Sequence, residues 1–472
     1  MRWGKAGLAA WMLVAFCVFG FAWFIVHTGA FLGDDLDNFL HLSDGKLWKL
    51  LITPVPGGHW SPFHRFSTWL VYNIAPMRFE AAVFVLLCFH VGTLVYLQAT
   101  LRLLGLNVAD KVILCMYASC GLLIYGMIWW ANAQLRVPHV LLCAAAIYHY
   151  LSWLKGNSRL QLWLAATAWL LDMFVYQKAV LVPVYMLVVG YLAEPARFRE
   201  KPLAAAALPG ALLIVSLVFT AVFKYLSPPE PFAPTVAAIL HIEGQFLGAL
   251  AGGLLGLVVD NVQDLGSAYV LRQQYATLAV LLVMLAATLR AAPGTWKLWL
   301  ALLGVLALDY LPLSTSNRYL FGPSIPYSYR YHFEAVYLVA LFAGLFCAQI
   351  FRDRENAPAS VRARLLPLAI VVVYLGINIA SLAIARERQW EFQHEITCHE
   401  YMSKLQEGLR RIEEPNPTFA DSKVPWQMSG LARRVRTKDL VPLFIPAARF
   451  TDAGEARYQV LLSGEVVDQG RH

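Results

Sequence analysis

Charged residues are scarce in this chain. Asp, Glu, Lys and Arg make up 14% of its 472 residues, whereas 59% are hydrophobic and the mean hydropathy is +0.55. An ordinary soluble domain carries about 25% charged residues. The sequence also lacks an evident internal repeat, heptad array or low-complexity segment. The composition therefore excludes a set of soluble domains and indicates a polytopic membrane protein.

Cysteine is also uncommon, with seven in the chain. Six of them lie inside the apolar runs described below, where we expect them to act as small apolar residues. These are Cys17, Cys88, Cys115, Cys120, Cys143 and Cys347. Cys398 has no evident partner in the sequence. The spacings therefore predict neither a disulfide framework nor a metal site.

Apolar runs of roughly 17 to 24 residues recur along the chain, each long enough to cross a bilayer core of about 30 Å. They are uniformly apolar rather than alternating, which predicts spanning helices and not a barrel. We expect an all-α fold with about eleven transmembrane helices. Their ranges are 8–27, 81–101, 112–130, 137–154, 160–176, 179–193, 204–224, 273–290, 297–314, 333–350 and 365–385. The first run has no evident cleavage site, so we expect it to be retained.

The net charge of +8 does not indicate nucleic-acid binding, because Lys and Arg fall in short clusters between the apolar runs. Placing each cluster in the cytoplasm gives a consistent topology. The opposite loops then face outwards. They comprise residues 28–79, the turns near 130–136 and 177–178, the segments 226–272 and 315–332, and everything after about residue 386.

Two segments depart from the pattern of spans. Residues 235–259 are apolar but carry His241, Glu243 and five glycines, which favours a re-entrant or interfacial helical hairpin on the outer side. After residue 386 the composition is that of a small soluble α+β module, with a helix predicted from Trp390 to Ile412 and a hairpin over 457–467. We therefore divide the chain into a membrane domain, 1–385, and a C-terminal domain, 386–472.

Three carboxylates, Asp34, Asp35 and Asp37, follow the first span by only a few residues. The apolar spacing over 35–50 predicts an amphipathic helix along the membrane surface. A carboxylate held there is well placed to accept a proton from a hydroxyl. The alternative is that these acids are helix N-caps and solvated charges, because such caps are common.

Basic residues on the other outer loops favour a role in chemistry. Cations on the outer side run against the usual charge bias and cost stability near lipid unless they are paired. A phosphate ester at the headgroup level would pair them. The residues are His59, His64, Arg65, Lys178, Arg318 and Arg330. The alternative is that they bind anionic lipid headgroups, with the neighbouring tyrosines forming an interfacial belt.

Four motifs, taken in order, resemble the GT-C superfamily of integral-membrane glycosyltransferases. They are Gly33-Asp34-Asp35, Gly58-His59-Trp60-Ser61-Pro62, Lys178 to Pro183, and Arg318-Tyr319-Leu320. That superfamily includes protein O-mannosyltransferases, lipid A aminoarabinose transferases and mycobacterial arabinosyltransferases. The resemblance covers about residues 1–385, and the chain has Asp-Asp where protein mannosyltransferases have Asp-Glu.

The resemblance implies an inverting transfer of a sugar from a polyprenyl-phosphate donor to an acceptor hydroxyl. Asp35, or else Asp34, would be the general base. The residues implied for the donor phosphate are Lys178, Arg318, Arg330, Arg65 and His64. Those assigned to the sugar or the acceptor are His59, Trp60, Trp129, Tyr331 and His332. No cofactor is required; the alternative is a divalent metal, Mg or Ca, held by Asp34, Asp35 and Asp37, with or without His41.

Nucleotide sugars are absent outside the cytoplasmic membrane, so an outward-facing transferase needs a lipid-linked donor. The expected partners are the bilayer, a polyprenyl-phosphate sugar, and a periplasmic protein such as a pilin, an O-antigen or a cell-wall glycan. We expect a multi-pass protein of the bacterial inner membrane with its active site and C terminus in the periplasm. The rival classes are a transporter or flippase for a lipid-linked sugar, which would carry charges near the bilayer midplane, and a structural subunit.

Overall fold

A computed structural model describes residues 5–43, 48, 51, 60–226, 234–257, 268–316, 325–351, 361–428 and 435–471. The α-helices of these ranges are, in chain order, α1 (Lys5–Val26), α2 (Asp34–Ser43), α3 (Pro62–Ile74), α4 (Phe79–Leu103), α5 (Ala109–Ala118), α6 (Leu122–Met127), α7 (Trp130–Gly156), α8 (Arg159–Met173), α9 (Val182–Ala193), α10 (Pro195–Glu200), α11 (Pro202–Leu226), α12 (Val236–Leu254), α13 (Ala268–Ala291), α14 (Trp296–Ser314), α15 (Phe333–Phe351), α16 (Val361–Arg388), α17 (Trp390–Arg410) and α18 (Thr437–Leu440). Short 3₁₀ turns occupy Gln177–Leu181, Pro293–Thr295, Tyr329–His332, Trp426–Met428, Val441–Leu443 and Gln469–Arg471.

Nine helices of the described ranges are long and apolar enough to cross a membrane. They are α1, α4, α7 and the six from α11 to α16. The expectation of a helical protein with many membrane-length helices is therefore confirmed. Its physical basis is simple, because in lipid a helix satisfies its own backbone groups and only length and apolarity are needed to specify one.

Three of the expected spans take a different form. The range 112–130 is divided between α5 and α6, and at the break the Gly121 N–H donates to Asn378 Oδ1 at 2.8 Å. The range 160–176 is the 15-residue α8, and 179–193 is a 3₁₀ turn followed by the 12-residue α9. All are shorter than the roughly 20 residues that a straight span needs.

Helix α7 is the centre of the bundle and is the most buried of the nine candidate spans. It packs against α4, α8, α9 and α15. Its contact with α9 is close because Gly190 has no side chain; a Cβ there would lie 2.6 Å from Tyr150 Cε1. Side chains from several helices therefore meet along α7.

Residues 235–257 contain one uninterrupted helix, α12, and not the expected helical hairpin. Gly244 and Gly248 lie within this helix, and only Gly256, at φ 73°, follows its end. Phe246 stacks on Tyr310 in the last turns of α14, with ring centroids 4.6 Å apart. The end of the bundle that contains this ring contact also contains α2 and the start of α7, and we call it the acidic end.

The opposite end of the bundle gathers basic residues that were expected to face the cytoplasm. Lys155 and Lys297 line a cavity of about 340 Å³ together with Tyr191 and Gln349. Lys155 Nζ also forms an ion pair with Glu194 at 3.3 Å. Because these residues come from separate clusters in the sequence, their convergence agrees with assigning those clusters to one side.

The C-terminal segment has the expected helix and hairpin. Helix α17 is followed by four short strands, β1 (Thr418–Ala420), β2 (Arg449–Thr451), β3 (Tyr458–Val460) and β4 (Val466–Asp468). The sheet order is β2-β1-β3-β4, and β3 pairs antiparallel with β4. Strand β1 is parallel to both of its neighbours. Helix α16 runs to Arg388, slightly past the expected domain boundary at residue 385.

Candidate functional site

Asp35 is fully buried in the first turn of α2. Its Oδ2 accepts a hydrogen bond from the Leu32 N–H at 3.2 Å, whereas Oδ1 has no hydrogen-bond partner in the described part of the chain. Burial raises the pKa of Asp35 well above its ordinary value, and the charge of Asp34 adds to this. The N–H groups of Leu32 and Ala131 favour the ionised form and oppose the rise.

The other two acids of the stretch are partly exposed. Asp34 and Asp37 lie on α2 with Asp35, and His41 Nδ1 is 3.6 Å from an Asp37 carboxylate oxygen. Within the residues that the structure describes, no group of three His, Cys, Asp or Glu side chains is arranged to hold a metal ion. The predicted amphipathic helix over 35–50 is present as α2, and most of residues 44–50 lie outside the described ranges.

Helix α3 contacts both α2 and α7, and α2 also contacts α7. Trp130 Nε1 on α7 donates to Thr68 Oγ1 at 3.2 Å. The Gln134 amide, oriented to satisfy its neighbours, accepts a hydrogen bond from His64 Nε2 at 2.5 Å. His64, predicted to bind phosphate, is therefore tied to α7 in this structure.

The loop predicted to bind donor or acceptor begins outside the described ranges, which leave out His59. Trp60 is half-buried, with its ring 5.8 Å from that of Phe174. Burial lowers the pKa of Arg65, and the Asp37 charge opposes this change. Arg65 is therefore close enough to the acidic stretch for the two charges to interact, as the prediction of one shared site requires.

Arg330 lies on an aromatic surface. Its guanidinium lies over the Trp129 ring at 4.6 Å and beside the Tyr331 ring at 5.3 Å. Trp129 directly precedes α7, two residues before Ala131, whose N–H favours the ionised form of Asp35. Arg330 and Asp35 therefore both lie against the first turn of α7. Arg318 lies outside the described residues.

The predicted acceptor residues Tyr331 and His332 are buried. His332 Nδ1 is 2.6 Å from the Tyr310 hydroxyl, and its Nε2 is 2.8 Å from the Pro326 carbonyl oxygen. Both ring nitrogens of His332 are thus occupied by the protein, and Tyr331 packs beneath the guanidinium of Arg136 at 5.1 Å. Their assignment to the sugar or acceptor stays a prediction.

Lys178 belongs to a buried ionic network. Its Nζ lies 3.0 Å from an Asp309 oxygen and 3.9 Å from a Glu334 oxygen. The other Asp309 oxygen accepts from the Tyr185 hydroxyl at 3.1 Å. Arg136 Nη1 lies 2.6 and 2.5 Å from the two Glu334 oxygens. Lys178, expected at the membrane face, instead has a side chain that is only 4% exposed.

A second buried pair lies beside this network. His139 Nδ1 is 2.9 Å from both carboxylate oxygens of Asp172. Neither Asp172, Asp309 nor Glu334 was among the predicted site residues. Each is a single acid within an apolar run, and that is a signal in itself, because an ionisable residue at membrane depth is costly unless it is paired or functional.

The C-terminal segment covers the acidic end. His399 Nδ1 on α17 is 2.9 Å from the Gly29 carbonyl oxygen, and the Gly33 N–H donates to the Met428 carbonyl at 3.2 Å. Burial on α17 raises the pKa of the Cys398 thiol, and the charges of Glu395 and Asp35 add to this. Helix α17 therefore contributes to the burial of Asp35.

The arrangement combines a buried proton acceptor, an arginine on an aromatic surface and an internally paired ionic network. The fold is that of a helical protein of membrane type, by helix length and composition. Neither the protein-family models nor the curated proteins with which the sequence was compared gave a match.

Proposed function

We propose that the protein is a membrane glycosyltransferase that moves a sugar from a polyprenyl-phosphate donor to an acceptor hydroxyl. The observation that carries the proposal is the buried Asp35 carboxyl, whose Oδ1 makes no hydrogen bond to a described residue. A buried carboxylate kept for stability normally has its oxygens satisfied. A perturbed acid whose burial is costly is more typical of a functional site.

Two arginines support a phosphate site beside this acid. Arg330 lies over Trp129, next to the α7 turn that Asp35 contacts. Arg65 is half-buried and interacts electrostatically with Asp37. Guanidinium groups form bidentate hydrogen bonds with phosphate, and burial strengthens such contacts because water screens them less. Arg330 and Arg65 are therefore the candidate ligands for the phosphate leaving group.

In the proposed reaction Asp35 takes the proton of the acceptor hydroxyl. The oxygen of that hydroxyl attacks the anomeric carbon of the donor at the same time. The bond from that carbon to the phosphate oxygen breaks, and polyprenyl phosphate leaves with the electron pair. The attack occurs on the face opposite the leaving group, so the configuration inverts. Arg330 and Arg65 stabilise the charge that develops on the phosphate. No step requires a cofactor.

Lys178 enters this reaction only by exchanging partners. Its ammonium group is paired with Asp309 and Glu334, so a donor phosphate would have to displace the Asp309 carboxylate. Breaking a buried pair is costly unless a new anion replaces the old one. A phosphate is such an anion, and Lys178 therefore remains a predicted phosphate ligand.

The reaction predicts a periplasmic site on a bacterial inner membrane, where lipid-linked sugars replace nucleotide sugars. To test it, purified protein is given polyprenyl-phosphate sugars with periplasmic protein or glycan acceptors, and release of polyprenyl phosphate is measured. Asp35→Asn should abolish release, whereas Glu80→Gln, which removes an exposed acid in the first turn of α4, is the control. Full release by both Asp35→Asn and Asp34→Asn would refute Asp35 and Asp34 as the base.

The ionic network favours a second candidate, transport of a lipid-linked sugar across the membrane. Arg136, Asp309 and Glu334 all lie within candidate spans, where ionisable residues often mark a substrate or proton path. Movement of a fluorescent lipid-linked sugar between the leaflets of proteoliposomes, without release of polyprenyl phosphate, would favour this function. Release that depends on Asp35, without such movement, would exclude it.

A further inference from the structure

A second cavity at the acidic end is separate from the Asp35 site. It is an open groove of about 390 Å³ between α12, α13 and the turn that precedes α15. Its polar and glycine lining residues are His241, Gly244, Gln245, Gly248, Gln274 and Tyr327. Leu240 forms one exposed apolar edge. None of the seven described lining residues is Asp, Glu, Lys or Arg.

Four of the lining side chains, those of His241, Gln245, Gln274 and Tyr327, can form hydrogen bonds. Gln274 Nε2 donates to the Tyr327 hydroxyl at 2.7 Å, and the Gln245 amide lies 3.0 Å from His241 Nε2. The Gln245 Oε1 is buried and has no partner among the residues that the structure describes. An amide offers both donors and acceptors, as does a tyrosine hydroxyl. The groove therefore matches a ligand whose own groups both donate and accept.

The two glycines leave the floor of the groove open. A Cβ added at Gly244 or Gly248 would meet no atom within 4 Å. Glycine weakens a helix interior, so its presence twice, one turn apart, needs a reason other than helix stability. The two glycines therefore leave open space along the helix on the groove side, next to Gln245.

We propose that this groove binds an uncharged sugar ring. Sugar hydroxyls each donate and accept, which is the chemistry that two amides, an imidazole and a phenol complement. A phosphate would instead call for Lys or Arg, which the described lining lacks. That the sugar is a substrate of the same enzyme rests on the proposed function; the binding itself does not.

The test uses substitutions that place side chains in the groove and leave the packing between the helices unchanged. Gly244→Leu and Gly248→Leu place a side chain in empty space and remove a poor helix former, so the melting temperature should stay or rise. Gly304→Leu is the matched control, because Gly304 is an exposed glycine of α14 with no atom within 4 Å of an added Cβ. Gln274→Leu removes one amide and leaves the helix intact.

Binding is measured by saturation-transfer NMR on protein in lipid nanodiscs. The probes are methyl glycosides of glucose, galactose, mannose and N-acetylglucosamine, and farnesyl-phosphate glucose and mannose. We expect at least one probe to bind the wild type and the Gly304 control. The same probe should bind at least tenfold more weakly to the three groove variants Gly244→Leu, Gly248→Leu and Gln274→Leu. Loss confined to the free glycosides identifies an acceptor-type sugar, and loss confined to the lipid-linked probes identifies the donor sugar.

Three results would overturn the inference: no probe binds the wild type, the groove variants bind as the control does, or glycerol phosphate competes for the groove. The assay needs no turnover, so it is independent of the proposed transfer reaction. If release depends on Asp35 but the groove variants bind sugar as the wild type does, the sugar site in the groove is refuted and the proposed transferase function is supported. If the groove binds sugar but no polyprenyl phosphate is released, the sugar site is supported and the transferase function is refuted.

Discussion

Replacing Asp35 by Asn should abolish sugar transfer and at the same time stabilise the protein. Burial raises the pKa of this carboxyl above its ordinary value of 3.8. Below 3.8 the group is protonated in both the folded and the unfolded chain. Between 3.8 and the raised pKa the folded chain keeps a proton that the unfolded chain releases, so stability falls as the pH rises through that window. Above the raised pKa the whole penalty is present.

The size of the gain follows from the surroundings of the carboxyl. Each unit by which folding raises the pKa of the Asp35 carboxyl means that its ionised form destabilises the folded chain by about 1.4 kcal/mol. Asn keeps the acceptor for the Leu32 N–H, and it replaces the ionised carboxylate, whose Oδ1 has no hydrogen-bond partner among the described residues, by a neutral group. A buried unsatisfied group costs about 1–3 kcal/mol, and more when it is charged. We therefore expect Asp35→Asn to be about 1–3 kcal/mol more stable at a pH above the raised pKa, where the wild-type carboxyl is ionised.

The assay pairs thermal unfolding in detergent with release of polyprenyl phosphate, each measured from pH 4 to 8. The wild type should lose stability and gain activity as the pH rises through the raised pKa of Asp35, because only the ionised form is a base. The Asn variant should lack this pH dependence and be inactive. A variant that is less stable than the wild type at neutral pH, or one that keeps the wild-type pH dependence of stability, would refute the reasoning.

Two further predictions concern the bundle. Glu334→Ala leaves the buried Arg136 guanidinium without its carboxylate partner and should cost about 3–5 kcal/mol of unfolding free energy. Replacing both Arg136 and Glu334 by Gln should restore most of that free energy. A loss below about 1 kcal/mol for Glu334→Ala in chemical denaturation would contradict this prediction. Gly190→Ala places a Cβ against the buried Tyr150 ring and should lower the free energy of unfolding by about 1–3 kcal/mol. Gly304→Ala, which has open space around the added Cβ, should raise it by about 0.5–1 kcal/mol. Equal melting temperatures for the two variants would contradict the close contact between α7 and α9.

The long helices were predictable because apolar length alone specifies them. The break between α5 and α6 was not, because it depends on a hydrogen bond from Gly121 to Asn378, 257 residues away. The uninterrupted helix α12 was also missed, because Gly244 and Gly248 lie inside it beside open space, whereas glycines elsewhere break a helix. Local composition does not distinguish these two uses of glycine.

The acidic stretch was predictable from its place after the first span, but its partners were not. Lys178 was expected at the membrane surface and is instead paired with Asp309, 131 residues further along the chain. Arg136 and Glu334 are 198 residues apart. A lone charge in an apolar run signals that a partner is needed. Which residue supplies it is decided by tertiary packing, which a single sequence does not reveal.

The contacts over the acidic stretch join the first and last parts of the chain. His399 bonds to Gly29 across 370 residues, and Gln406 donates to the Met77 carbonyl across 329. Chains are synthesised from the N terminus, and contacts of high sequence separation form late because closing a long loop costs entropy. Helix α2, which carries Asp35, therefore leaves the ribosome before its covering helix α17 has been synthesised. A chain released before α17 would have most of the helices but not the contacts that cover the acidic end.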